Sequence, residues 1–188
     1  GLWLLQELRR EWEEAGNKVD WEEMTRMAAS APAFSAFIDP DDDRFLAPGA
    51  MRPRIEAFCQ DTGQTPPADD GALVRCILES LALKCRSVLE GLDELAGRKL
   101  EVLHMVGGGI QNNLLCQFTA DAIGRPVKAG PVEGTALGNL MGQLIATGEL
   151  GSVAEGRQVI AASVDMASYE PQDTAAWEEA YGRFQEVA

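Results

Sequence analysis

The chain contains a single histidine, His104, and its four cysteines, Cys59, Cys76, Cys85 and Cys116, form no C-x-x-C pair. Structural zinc sites are built from such pairs together with histidines, so a zinc centre is poorly supported and buried free thiols are expected. Cys59 and Cys76 flank a turn-rich segment, and the helices that carry them are expected to pack together, although a reducing cytosol disfavours a bridge between them. Basic residues are scarce as well: 16 Lys+Arg against 30 Asp+Glu leave a formal net charge of −14. Such a charge repels nucleic-acid phosphates and anionic membrane surfaces alike. No apolar run approaches the roughly 18 residues a membrane helix needs, and no basic segment precedes an apolar one at the start. The expected setting is the cytoplasm, with neither nucleic acid nor membrane as partner.

What is present suffices for one domain with a sizeable core, since 46% of the 188 residues are hydrophobic. The first third reads as helices separated by turns: Leu2 to Ala15, then a second helix opened by Asp20 with Glu23 three residues on, in capping-box spacing. Four consecutive apolar residues begin at Leu2, inside a helical pattern, and imply a face covered by something preceding them. Ala36-Phe37-Ile38 reads as a short extended segment. The acidic loop from Asp39 to Phe45 lacks the glycine and glutamate of an EF-hand, so self-capping by its aspartates is favoured, with Arg44 paired to one of them. Met51 to Thr62 is helical in pattern. After Pro66-Pro67 and two capping aspartates, a long helix runs from Gly71 to about Leu95, with Leu73, Ile77, Leu78, Leu81, Val88, Leu89 and Leu92 forming a core stripe.

The pattern then changes to strand, helix, strand, helix: Leu100 to Val106, Gln111 to Ile123, Pro126 to Ala129 and Gly134 to Thr147. Such alternation puts parallel strands under covering helices and predicts an α/β fold. Two strands make a meagre sheet, so further strands are expected upstream. The tail predicts two more helices, Val153 to Ala162 and Thr174 to Val187. An unpaired edge on the first strand, together with a bare Leu2 to Leu5 face, predicts self-association into a dimer or higher oligomer.

Three glycines, Gly107, Gly108 and Gly109, end the first strand. Without a Cβ the main chain tolerates φ > 0 and approaches a flat ligand closely, and the same residues also suit a bare strand-to-helix turn. They lack the lysine and spacing of a P-loop and the G-x-G-x-x-G of a dinucleotide fold. Asn112 suits a helix cap or a ligand contact. Gln117 and Asp121 are expected on an exposed helix face, and Gly134, Gly138 and Gly142 in helix-to-sheet packing. His104 is expected in the core or at the strand edge, outside any site. No nucleophile or acid–base pair stands out.

Taken together, Val106-Gly-Gly-Gly-Ile-Gln-Asn112-Asn-Leu-Leu, Thr119-Ala-Asp-Ala-Ile-Gly-Arg-Pro-Val127 and Gly130-Pro-Val-Glu-Gly-Thr-Ala-Leu-Gly-Asn139 resemble, in order and spacing, the C-terminal domain of the FGGY family of sugar kinases. Gly1-Leu-Trp-Leu-Leu-Gln6-Glu-Leu-Arg-Arg10 and the Asp41 to Phe45 loop look most like the branch of that family that acts on L-rhamnulose. The resemblance implies part of an actin-like, ribonuclease-H-like ATPase domain, partial from residue 1 to 188, with upstream sheet strands supplied elsewhere. It also implies transfer of the γ-phosphoryl group of ATP, with Mg2+, to the sugar's 1-hydroxyl. Carried over by position, Gln6, Gly107, Gly108, Gly109 and Asn112 would line the adenosine end of the ATP site. The catalytic carboxylate and the phosphate and sugar contacts would lie outside these residues, leaving the fragment inactive by itself. The residues alone leave open a non-catalytic actin-like interaction module and a kinase for a different sugar.

Overall fold

A computed structural model describes all 188 residues. Helix α1 (Trp3–Glu14) buries Leu4, Leu5 and Leu8 on one face, and the Trp3 indole N–H donates to the Phe45 carbonyl at 3.2 Å. The apolar start is therefore covered by this chain's own core, contrary to the expectation of a bare Leu2 to Leu5 face. Helix α2 (Trp21–Ser30) is capped by Asp20, whose carboxylate accepts from the Glu23 N–H at 2.8 Å. Helix α3 (Met51–Asp61) and the 27-residue α4 (Asp70–Ala96), capped by Asp69, complete the helical half. The acidic loop folds as expected into a 3-10 turn at Asp43–Phe45, with Asp42 accepting from the Arg44 N–H and the Arg44 guanidinium bridging Asp42 and Asp61 at 3.0 Å each.

Ala36, Phe37 and Ile38, expected as a short extended segment, are buried but belong to no strand. Side chains replace the ladder: Gln64 accepts from the Phe37 N–H and donates to its carbonyl, both at 2.8 Å, and Ser80 Oγ accepts from the Ile38 N–H at 3.0 Å. Nearby, Arg75 and Glu79 of α4 clamp the end of α2. Arg75 Nη1 donates to the Ala28 and Ala31 carbonyls, Nε donates to Glu79, and Glu79 accepts from the Phe34 N–H. That clamp holds Phe34 at φ 55°, a left-handed conformation uncommon for an aromatic residue. Burial raises the Glu79 carboxyl above its ordinary range, against the hydrogen bond and charge of Arg75.

Three short strands form one sheet in the order β1-β2-β3. Strand β1 (Leu103–Met105) runs parallel to β2 (Val127–Ala129), Leu103 facing Val127, with helix α5 (Asn113–Ile123) between them in sequence. Strand β3 (Ala167–Tyr169) lies antiparallel to β2 on its other side. The tail was expected to hold helices only, and this strand corrects that reading. Helices α6 (Gly134–Ala146) and α7 (Val153–Ser163) precede it and α8 (Thr174–Gln185) follows.

A cluster of 28 buried residues joins α1 to α4 with one face of α5 and with Trp177, Ala180, Tyr181 and Phe184 of α8. Trp177 meets Phe34 edge-on at 5.0 Å, and Phe184 meets Phe37 edge-on at 6.4 Å. Beside the sheet lies a satellite of four, Leu89 of α4, Ala120 and Ile123 of α5 and Val127 of β2. Several residues fall on the side opposite to their expected one. Val88 and Leu92 are exposed, so the core stripe of α4 ends before its last turns apart from Leu89. Asp121 is buried, accepting from the Gln172 N–H at 2.7 Å and from Gln117 Nε2 at 2.9 Å, while Gln117 also donates to the Glu170 carbonyl. All four cysteines are free; Cys59, Cys76 and Cys116 are buried, and burial pushes the Cys59 and Cys116 thiols up to about 11.

Candidate functional site: the glycine turn

Strands β1 and β2 are parallel, and a glycine follows each, Gly107 after Val106 and Gly130 directly. Their continuations are tied together: the Gly107 N–H donates to the Pro131 carbonyl at 3.1 Å, and the Gly130 N–H donates to the Met105 carbonyl at 2.9 Å. Gly107 sits at φ 86° and Gly130 at φ 140°, conformations that a side chain would strain. The chain turns there into a 3-10 segment, Gly108–Gln111, before α5 begins. Ligands of open α/β sheets bind in the crevice beyond the carboxyl ends of the strands, and this turn occupies that position.

The walls come from three directions. A Cβ added at Gly109 would lie 3.3 Å from Leu2 Cδ1, so the start of α1 abuts the turn; Gly108 has open space where a Cβ would stand and is exposed. A Cβ at Gly134 would lie 3.0 Å from Val106 Cβ, so α6 starts directly against the end of β1. Gly138 and Gly142 meet nothing within 4 Å, which limits the expected helix-to-sheet packing to Gly134 alone.

Asn112 caps α5: its Oδ1 accepts from the Leu115 N–H at 2.9 Å. Its Nδ2 donates to Thr25 Oγ1 of α2 at 3.3 Å, and the Thr25 hydroxyl donates to the Trp21 carbonyl at 2.8 Å. Thr25 was not singled out in the sequence. Its partner lies 87 residues away, and no local signal marks it.

Gln6 lies on the exposed face of α1, one turn beyond Leu2. It lines an open pocket of about 300 Å³ with Arg9, Arg10, Glu13 and Trp21, in which the Arg9 guanidinium stands 5.1 Å from the Trp21 ring centroid. Of the five residues expected at one site, Gly107, Gly108, Gly109 and Asn112 lie within one six-residue turn, and Gln6 is linked to it through Leu2, whose carbonyl accepts from the Gln6 N–H and whose side chain faces Gly109. His104 is exposed on edge strand β1 and takes no part. No group of three or more His, Cys, Asp or Glu side chains is placed to hold a metal ion. No helix is long and apolar enough to cross a membrane.

Comparison with known proteins bears on this geometry. The C-terminal domain model of the FGGY family of carbohydrate kinases matches residues 1–147. A rhamnulokinase of Bacteroides thetaiotaomicron is 47% identical over 184 residues, covering 98% of this chain and 37% of its own length. A rhamnulokinase of Enterococcus faecalis is 46% identical over 173 residues, 90% of this chain and 34% of its own length. The chain thus spans little more than a third of the curated relatives it matches. Among solved structures, a xylulose kinase from Rhodospirillum rubrum superposes with a TM-score of 0.63 at 23% identity, over 97% of this chain and 36% of its own. Plasmodium falciparum glycerol kinase with ADP does so at 0.62 and 19% identity, over 89% of this chain and 32% of its own. These likenesses bear out the expected helix-rich α/β, actin-like ATPase fold.

Proposed function

Because the chain belongs to the FGGY family of carbohydrate kinases, as their C-terminal domain, we propose that it forms the adenosine end of the ATP site in an enzyme that phosphorylates the 1-hydroxyl of L-rhamnulose. The observation that carries the reading is the glycine turn: exposed Gly108, beside positive-φ Gly107, at the carboxyl end of a parallel strand. Backbone bare of side chains lets an adenine or ribose lie against the main chain, with Gly107, Gly108 and Gly109 beneath it and Asn112 and Gln6 at its margins. The choice of L-rhamnulose rests on the rhamnulokinases that match nearly the whole chain.

The groups gathered at the turn are main chain, an amide, a hydroxyl and aliphatic carbons, which suits binding rather than proton transfer. The carboxylate base and the sugar contacts are therefore assigned to parts of the enzyme outside residues 1–188, so the isolated chain binds nucleotide weakly and turns nothing over. Phosphoryl transfer depends on positioning and charge neutralisation. Mg2+ is assigned to the nucleotide's phosphates, where it commonly binds through few protein ligands. With a net charge of −14, we place the protein in the cytoplasm with neither nucleic acid nor membrane as partner. Edge strand β1 and the open apolar side of α6 favour self-association of the isolated chain, which a single monomeric boundary at high concentration in sedimentation velocity would refute.

The test is an NMR titration of the 188-residue chain with ADP, read at the amides of Gly107, Gly108 and Gly109. Shifts confined to that turn and the Gln6 face are expected; shifts elsewhere, or none at millimolar ADP, overturn the site. Transfer from ATP to L-rhamnulose by the isolated chain would overturn the assignment of the base.

A further inference from the structure

The nucleotide reading leaves unexplained how the turn is held: the Cys116 thiol donates to the Ile110 carbonyl at 3.6 Å, and the second side-chain anchor, Asn112, has two amide functions that need fixing. Both are fixed, by partners on different elements. Oδ1 accepts from the Leu115 N–H of its own helix, which leaves Nδ2 to donate, and Nδ2 meets Thr25 Oγ1 of α2 at 3.3 Å. A hydroxyl carries a single hydrogen, and that of Thr25 is committed to the Trp21 carbonyl at 2.8 Å, so Thr25 presents a lone pair to Asn112. Donation runs in one direction, from the Leu115 N–H to Asn112, from Asn112 to Thr25 and from Thr25 to the Trp21 carbonyl, and only one orientation of the Asn112 amide satisfies it. Nδ2 keeps a second hydrogen uncommitted. The Asn112 N–H in turn donates to the Gly109 carbonyl at 3.2 Å, so the amide that Thr25 orients belongs to the residue that closes the glycine turn.

We infer that Thr25 is a positioning residue for the nucleotide site, acting through Asn112, and that α2 is thereby coupled to nucleotide binding. The inference rests on the nucleotide reading for its ligand and on the relay alone for its geometry. Thr25 is half-buried at the α2 surface and outside the pocket lined by Gln6, and its hydroxyl bonds only Asn112 and the Trp21 carbonyl. The hydroxyl, rather than the methyl group, is the part that matters. Serine should therefore replace threonine and valine should not.

The experiment compares wild type, Thr25→Val and Thr25→Ser in the 188-residue chain, by NMR and with ADP as the probe. Before ligand is added, Thr25→Val should move the Asn112 side-chain amide resonances and speed exchange at the Leu115 amide, with Thr25→Ser matching wild type. On titration, Thr25→Val should weaken ADP binding by about three- to tenfold, the scale of one neutral hydrogen bond, with Ser restoring it. Unchanged Asn112 resonances in Thr25→Val overturn the relay whether or not nucleotide binds. Changed resonances with unaltered ADP affinity overturn the positioning role while leaving the nucleotide site intact. A wild type that does not bind ADP overturns the nucleotide reading, and the positioning role falls with it while the relay stands or falls on the unliganded spectra. A uniform fall in protection across α2 and α4 in Thr25→Val would mark general destabilisation and also overturn the role.

Discussion

The two halves of the molecule handle apolar residues in opposite ways. In the helical half, α1 to α4 close on one another and on α8, and the large side chains Phe37, Phe45, Leu8 and Ile77 are at most 2% exposed. In the sheet half, α6 carries Leu137, Leu140, Met141, Leu144 and Ile145 and buries none of them, while α7 buries only Gly156. Apolar content alone therefore does not determine what is inside. The helical half owns its core; the sheet half borrows a little of it through α5 and leaves the rest of its apolar surface open. Parallel strand pairs usually have both faces covered, yet β1 alternates between half-buried and exposed.

The largest test of that contrast is a pair of truncations. Ile77→Ala should cost about 2–5 kcal/mol, as for other fully buried aliphatic residues, whereas Leu140→Ala should stay within about 0.5 kcal/mol of wild type. Urea midpoints decide it, and equal losses would break the contrast. A smaller effect separates two glycines of one helix. Gly134→Ala drives a methyl group to 3.0 Å from Val106 Cβ and should cost about 1 kcal/mol or more through overpacking. Gly138→Ala meets open space and should gain up to about 1 kcal/mol from helix propensity. Thermal unfolding of the two variants should move in opposite directions.

The smallest effect is electrostatic and concerns the seam between the halves. Arg125, following α5, pairs with Asp93 near the end of α4 at 2.5 Å and also donates to the Leu100 carbonyl. The hydrogen bond from Arg125, with a second from the Leu100 N–H, holds the Asp93 carboxyl below its ordinary value. At Glu90, burial acts upward, but hydrogen bonds from Arg86 and Tyr181 outweigh it and the net shift is downward. Depressed carboxyls stabilise the fold above their unfolded values, near pH 4, and lose that contribution as pH falls through the folded values. The raised Glu79 carboxyl acts in the opposite sense and in a different window: its contribution is complete below the ordinary carboxylate value and is lost as pH rises above that value through the raised folded one. Acid should therefore loosen the seam, with fluorescence and circular dichroism showing less acid sensitivity in Asp93→Asn than in wild type.

How much of this was legible in the sequence depends on how local the cause is. Asp20, Asp69 and Asn112 each cap a helix through an N–H three residues on, and their residue types announced it. The glycine turn was legible as a turn, which Gly107 at φ 86° and the 3-10 segment after it bear out, and the resemblance of its motifs made it the candidate site that the ADP titration tests. Strand β3 was not, because Ala-Ser-Tyr is too short for an alternation to register and its order comes from pairing with β2. Asp121 looked like a solvated helix residue until Gln172, 51 positions on, supplied the N–H that pays for its burial. The cover over Leu4 and Leu5 was equally invisible, since it is assembled from helices later in the chain. Thr25 belongs to the same class: its meaning lies in Asn112, and nothing near it in sequence says so.

The participation of α8 in the first core has a consequence for synthesis. Residues 1–96 supply most of that core, but Trp177, Tyr181 and Phe184 fill its remaining side. At about 5–20 residues per second, a ribosome needs several seconds after completing α4 to deliver them. Throughout that interval Phe34 and Phe37 lack their edge-on partners Trp177 and Phe184. Chaperones that grip aromatic surface on a nascent chain have their opportunity then, and it closes when the last helix docks.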